Sequence, residues 1–77
     1  MKSKKFFEAE LIKIFKRELN ITVGNGSKIY DNPKWDSLGN FNVLLSVEKY
    51  FKMKFSSREF NKAKSFNEIL KIVKQKY

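Results

Sequence analysis

The run from Leu38 to Phe51 constrains this chain more than any other stretch. Its apolar members are Leu38, Phe41, Val43, Leu44, Leu45, Val47, Tyr50 and Phe51. They show no useful two-residue alternation, and at helical spacing they cover more than one face. So apolar a helix predicts a central position, packed against several neighbours. Upstream, Pro33 biases Asn32 away from helix, so the new helix starts after it, with Asp36 or Ser37 as its cap and Phe51 near its end. Gly39 in the first turn costs about 1 kcal/mol of helix propensity relative to Ala and leaves the ground beside Ser37 uncluttered.

The rest of the chain also reads as helix. From Phe6 to Leu19, the residues Phe7, Leu11, Phe15 and Leu19 hold one face while Lys and Glu fill the other. This predicts a helix over roughly 3–20 with Ser3 as its N-cap. A long loop follows over 21–35, rich in Gly and Asn, where tight turns need positive φ. Ile21, Val23, Ile29, Tyr30 and Trp35 are too apolar for a solvated linker, so they are expected to pin that loop onto the core. Two Ser-x-x-Glu capping boxes, Ser56 to Glu59 and Ser65 to Glu68, then open a short helix at about 57–62 and a last one from 65 to about 75. Phe66, Ile69, Leu70 and Val73 should face inward. The expectation is an all-α fold, a small four-helix bundle with a long first loop and a short third helix, in a single domain over 1–77.

Composition narrows the chemistry. Seventy-seven residues without cysteine or histidine leave no thiol nucleophile, no disulfide, no zinc site of the usual kind and no serine–histidine pair. Carboxylates are scattered, and Gly24-Asn25-Gly26 lacks the lysine and spacing of a phosphate-cradling loop. No catalytic residue and no metal ligand is therefore assigned, and the chain is not read as an enzyme. There is no signal-like or membrane-spanning apolar segment, which makes the cytoplasm the default and membrane insertion unexpected. The net charge of +9 lies at the ends: residues 1–20 and 52–77 carry +3 and +6, whereas 21–51 carries three bases and three acids.

Ser37 is the one candidate for function. Local sequence alone reads it as an ordinary helix cap, with Asp36 as a cap or a first-turn acid. The wider pattern adds to this. Trp35-Asp36-Ser37-Leu38, followed by Val43-Leu44-Leu45-Ser46-Val47-Glu48-Lys49-Tyr50-Phe51, resembles the acyl carrier protein family. That family's second helix opens on Asp-Ser-Leu and closes on a Glu-rich run ended by Phe. The likeness continues without a gap through Phe55, Ser56-Ser57, Ser65-Phe66 and Ile69-Leu70-Ile72-Val73. It spans the whole chain in architecture and residues 35–51 in motif.

The resemblance implies that Ser37 receives phosphopantetheine from coenzyme A, through a phosphodiester made by a phosphopantetheinyl transferase. The arm would hold acyl or aminoacyl groups as thioesters, which would let a chain without cysteine take part in thioester chemistry. Asp36, Leu38, Phe41 and Asn42 would meet the transferase and later partners, an acyl- or aminoacyl-loading enzyme and a downstream acyltransferase. The chain would act as a monomer.

It departs from the family in charge. Family members commonly carry acids along the second helix, where this chain has Asn40, Asn42, Ser46 and Lys49, and only Asp36 and Glu48 remain. Trp35 resembles more specialised carriers, and eight Phe leave less room for a long sequestered chain. A dedicated carrier with short or aminoacyl cargo is the resulting expectation. The leading alternative is a small basic helical nucleic-acid-binding domain. Against it, Arg occurs only at 17 and 58 and the Lys residues spread over several helices, so no nucleic-acid partner is expected. A basic membrane-surface helix over 3–19 would have to spend the apolar face that the core needs.

Overall fold

Four helices arise where local signals place them. The computed structural model describes residues 4–77. In order they are α1 (Lys4–Leu19), α2 (Ser37–Phe51), α3 (Ser57–Lys62) and α4 (Phe66–Lys76). No strand occurs among the described residues beyond one isolated bridge between Lys28 and Ser65. Ser3, the expected cap of α1, lies outside the described residues. Asn20 ends α1 in the left-handed region at φ 56°, donating its N–H to the Lys16 carbonyl at 2.9 Å. Asn tolerates that conformation better than most residues. Lys52 closes α2 in the same way, at φ 55° with its N–H on the Glu48 carbonyl.

Both Ser-x-x-Glu sequences cap helices, but only the first makes the full box. Ser56 Oγ accepts from the Glu59 N–H at 3.2 Å, and Glu59 Oε1 accepts from the Ser56 N–H at 2.9 Å. Ser65 Oγ accepts from the Glu68 N–H at 3.1 Å without the reciprocal bond. Both caps have extended backbones, but Ser65 (φ −147°, ψ 159°) is also held in a bridge to Lys28. There the Ile29 N–H reaches the Lys64 carbonyl and the Phe66 N–H reaches the Ser27 carbonyl, each at 2.9 Å.

The core corrects the expected hierarchy of helices. α1, not α2, is central: it packs against both α2 and α4, which are the principal helix contacts. Phe7, Leu11, Ile14 and Phe15 of α1 are buried, while Leu19 is only half-buried. From α2 come Val43, Leu44, Val47 and Phe51, and from α4 come Phe66, Ile69, Leu70, Ile72 and Val73. Leu38, Phe41, Leu45 and Tyr50 of α2 remain exposed. A six-residue α3 that buries none of its own residues is too short to cover that second apolar face.

The long loop is pinned as expected by Ile21, Val23 and Trp35, which are buried, and by Ile29, which packs on the core's edge. Trp35 sits edge-on against Phe15 with ring centroids 4.6 Å apart. Tyr30 is the exception. It is 66% exposed and anchors nothing in the core.

Candidate functional site

The geometry around Ser37 starts with a turn that an ordinary side chain should avoid. Lys28 to Asp31 closes through the Asp31 N–H on the Lys28 carbonyl at 3.1 Å, backed by the Lys28 N–H on Asp31 Oδ2 at 3.0 Å. This turn puts Tyr30 at its third position with φ 73°, a conformation that glycine or asparagine usually takes. For a bulky residue it costs on the order of 1–2 kcal/mol. Such strain persists only where the surroundings impose it. Here the Tyr30 N–H donates to the Trp35 carbonyl at 2.7 Å, closing the segment 30–35 on itself. Inside it, Pro33 occupies the second place of a turn in which the Trp35 N–H meets the Asn32 carbonyl at 2.8 Å.

The outcome of this folding is a contact between two hydroxyls. Tyr30 Oη lies 2.6 Å from Ser37 Oγ, and both residues are exposed. The cap of α2 is Asp36, whose Oδ1 accepts from the Gly39 N–H at 2.8 Å. Ser37 is therefore the first residue of the helix, and its hydroxyl is not consumed in capping. This overturns the reading of Ser37 as an ordinary cap.

Of the first N–H groups of α2, Gly39 and Asn40 donate to Asp36 Oδ1 and to the Asp36 carbonyl. Those of Ser37 and Leu38 have no intramolecular acceptor among the described residues. Two open donors at a helix N-terminus beside an exposed hydroxyl, held only by Tyr30, suit an anionic group. Asp36 keeps its second oxygen, Oδ2, without a hydrogen-bond partner among the described residues.

Gly39 serves a tighter purpose than clearing the ground. A Cβ there would lie 2.4 Å from the Lys34 carbonyl oxygen and 3.1 Å from a Leu19 methyl. The loop thus rests directly on the first turn of α2. Behind it, Asn40 is buried at 5% exposure, although the sequence reading placed it on the outward, partner-facing surface. Its Oδ1 accepts the Trp35 indole N–H at 2.9 Å, and its Nδ2 donates to the Ala63 carbonyl at 3.0 Å. No sequence signal marks this tie, since Asn at such a position reads equally well as a solvated residue.

The expected contact residues, Asp36, Leu38, Phe41 and Asn42, are all exposed, Asp36 at the cap and the others in the first two turns of α2 with Ser37. Phe41 leans on Phe60 of α3, with ring centroids 5.6 Å apart. Ser46 is half-buried and turned toward α1, where it donates to Glu18 Oε2 at 2.7 Å. Glu48 is also committed: its Oε2 accepts the Phe55 N–H at 2.8 Å. Two of the four positions expected to replace acids, Asn42 and Lys49, therefore face outward.

Among the described residues no cluster of three or more His, Cys, Asp or Glu could hold a metal ion. No helix among them is long and apolar enough to cross a membrane. Comparison with models of protein families, with curated proteins and with solved structures finds no match to this chain.

Proposed function

We propose that this chain is a carrier protein of acyl-carrier type that bears a phosphopantetheine arm on Ser37. One observation carries the reading: Asp36 caps α2, so the Ser37 hydroxyl stands exposed at the helix N-terminus with no structural duty beyond its contact with Tyr30. A transferase would join this oxygen to the phosphorus of coenzyme A that bears pantetheine, breaking the phosphorus–oxygen bond to the nucleotide, and the serine proton would pass to the transferase. Tyr30 holds the hydroxyl in place for that step and afterwards stands within reach of the ester oxygen. The open N–H groups of Ser37 and Leu38 favour the phosphodiester charge. Asp36 offers its free oxygen to the transferase, while Leu38, Phe41 and Asn42 form the contact surface next to the attachment point.

The arm supplies a thiol that holds cargo as a thioester. This chain supplies the docking surface and the fixed base from which that thiol reaches successive enzymes. Phe15, Trp35 and Phe66 fill the interior where α1, α4 and the loop meet, which favours short or aminoacyl cargo over a long buried chain. The test is incubation with coenzyme A and a broad-specificity phosphopantetheinyl transferase, read by intact mass. The expected result is one added phosphopantetheine on the wild type and none on Ser37→Ala. An unmodified wild type across several transferases would overturn the assignment.

A further inference from the structure

The second apolar face of α2 is uncovered, and its charge identifies what would cover it. Leu38, Phe41 and Leu45, at i, i+3 and i+7, form a ridge with exposures of 68%, 44% and 44%. It begins one residue after Ser37. Along the same direction the ridge gives way to Lys49 and Lys52, both exposed and without a carboxylate in ion-pairing range among the described residues. Leu38 and Lys52 are separated by about 21 Å of helix, so the cations lie more than a Debye length from the serine.

The cations outnumber the acid beside them. The one acid of the groove they line, Glu48, lies among Lys49, Lys52 and Lys54, is turned into the Phe55 N–H and meets Lys54 at 4.0 Å, so three cations face one carboxylate. From the Asp36 carboxylate beside Ser37, the surface thus runs apolar and then net positive.

We propose that this ridge docks enzymes whose carrier-binding surface is an apolar groove bordered by aspartate and glutamate, the reverse of the basic surfaces that acidic carriers meet. The proposal rests on the carrier reading of Ser37 and names the chemistry of its partners. Charge complementarity fixes the sign: carboxylates opposite Lys49 and Lys52 attract, whereas lysines there repel and deflect the encounter. A membrane suits the ridge less well. A helix lying on lipid presents a broad apolar face with cations along its flanks. This ridge has Asn42 beside it and cations only at one end. A phosphate backbone would leave Leu38, Phe41 and Leu45 without a counterpart.

The test uses one phosphopantetheinyl transferase in two forms, the parent with a basic carrier-binding surface and a version with those Lys and Arg replaced by Glu. The isotope-labelled chain is titrated with each form at low salt and followed by amide chemical shifts. The acidic form should bind about tenfold tighter or more, an effect typical of electrostatic steering. The shifts should fall on Leu38, Phe41, Leu45, Lys49 and Lys52, and the double variant Lys49→Glu, Lys52→Glu should reverse the order. Equal binding, preference for the basic form, or shifts away from the ridge would overturn the proposal. So would the same shifts on anionic phospholipid vesicles if the double variant abolishes them.

Loading is read separately by mass. If the charge order holds but no arm appears on Ser37, the carrier reading fails and the docking chemistry stands. If the arm appears with no charge order, the docking proposal fails and the carrier reading stands.

Discussion

Tyr30 shows how a single residue can fix a functional group at the expense of its own backbone. Its φ of 73° is unfavourable for any side chain with a Cβ, yet it brings a hydroxyl to 2.6 Å from Ser37 Oγ. Replacing the hydroxyl and relieving the strain are separable. Tyr30→Phe removes the contact and keeps the strained turn, whereas Tyr30→Gly removes both. In chemical denaturation, Tyr30→Gly should leave stability within about 1 kcal/mol of wild type, because relief of φ offsets the added freedom of the unfolded chain. On the proposed carrier function, both variants should slow transfer of the arm to Ser37, with the loss in kcat rather than in KM if the hydroxyl positions the nucleophile. An unchanged kcat in Tyr30→Phe would remove Tyr30 from the reaction. The sequence could not have shown this pairing, because a tyrosine at the left-handed position of a turn has no composition signature. The apolar character of Tyr30 suggested burial instead.

At the scale of elements, Asn40 joins three parts of the chain that make few other polar contacts. It links the loop through Trp35, α2 through its own backbone, and the connection from α3 to α4 through Ala63. Truncation at Asn40→Ala strands a buried indole N–H and a backbone carbonyl, each costing about 1–3 kcal/mol. A loss of about 2–6 kcal/mol in denaturation is expected, large for a domain of this size. The helix ends were legible in sequence because caps act locally: Asp36, Ser56 and Ser65 each need only a donor three residues on. The rank of the helices was not. Centrality depends on which faces meet, and a helix apolar on two sides reads the same whether its second side is packed or left for a partner.

Across the whole molecule, exposed polar contacts tie α1 to α2 and α3 to α4, and they set how stability responds to pH. Glu10 of α1 accepts from the Tyr50 hydroxyl of α2 and lies 3.3 Å from Lys13. The tyrosine hydrogen bond holds the Glu10 carboxyl below its usual value, and the same bond raises Tyr50. Glu59 is likewise lowered, first by the Ser56 N–H and then by Lys76 of α4 at 3.1 Å. A depressed carboxylate stabilises the fold above its unfolded value, and that contribution is lost as pH falls through its folded value. A raised tyrosine stabilises below its ordinary value of about 10, and that contribution is lost as pH rises beyond it. Stability should therefore hold a plateau through neutral pH and fall on the acid side. Tyr50→Phe should lessen the acid-side loss and move the Glu10 titration, followed by NMR, upward toward an ordinary glutamate. A Glu10 titration unmoved by that substitution would show that the contact is not formed in solution.

The four-helix order followed from sequence periodicity and capping, whereas periodicity gave Leu38 and Phe41 a packed place that the structure leaves exposed. The commitment of Asn40, Ser46 and Glu48 to internal bonds did not follow, because a polar side chain on a helix gives no sign of which way it turns. Trp35 carries one consequence of that internal wiring. It is the sole tryptophan in the chain, almost fully buried, with its indole N–H on Asn40 and its ring edge-on to Phe15. The peptide that follows it leads through Asp36 to Ser37. The molecule therefore has an intrinsic optical gauge beneath Ser37: emission from this one indole should report, without any label, whether the proposed loading or docking above it lifts the loop from the helix.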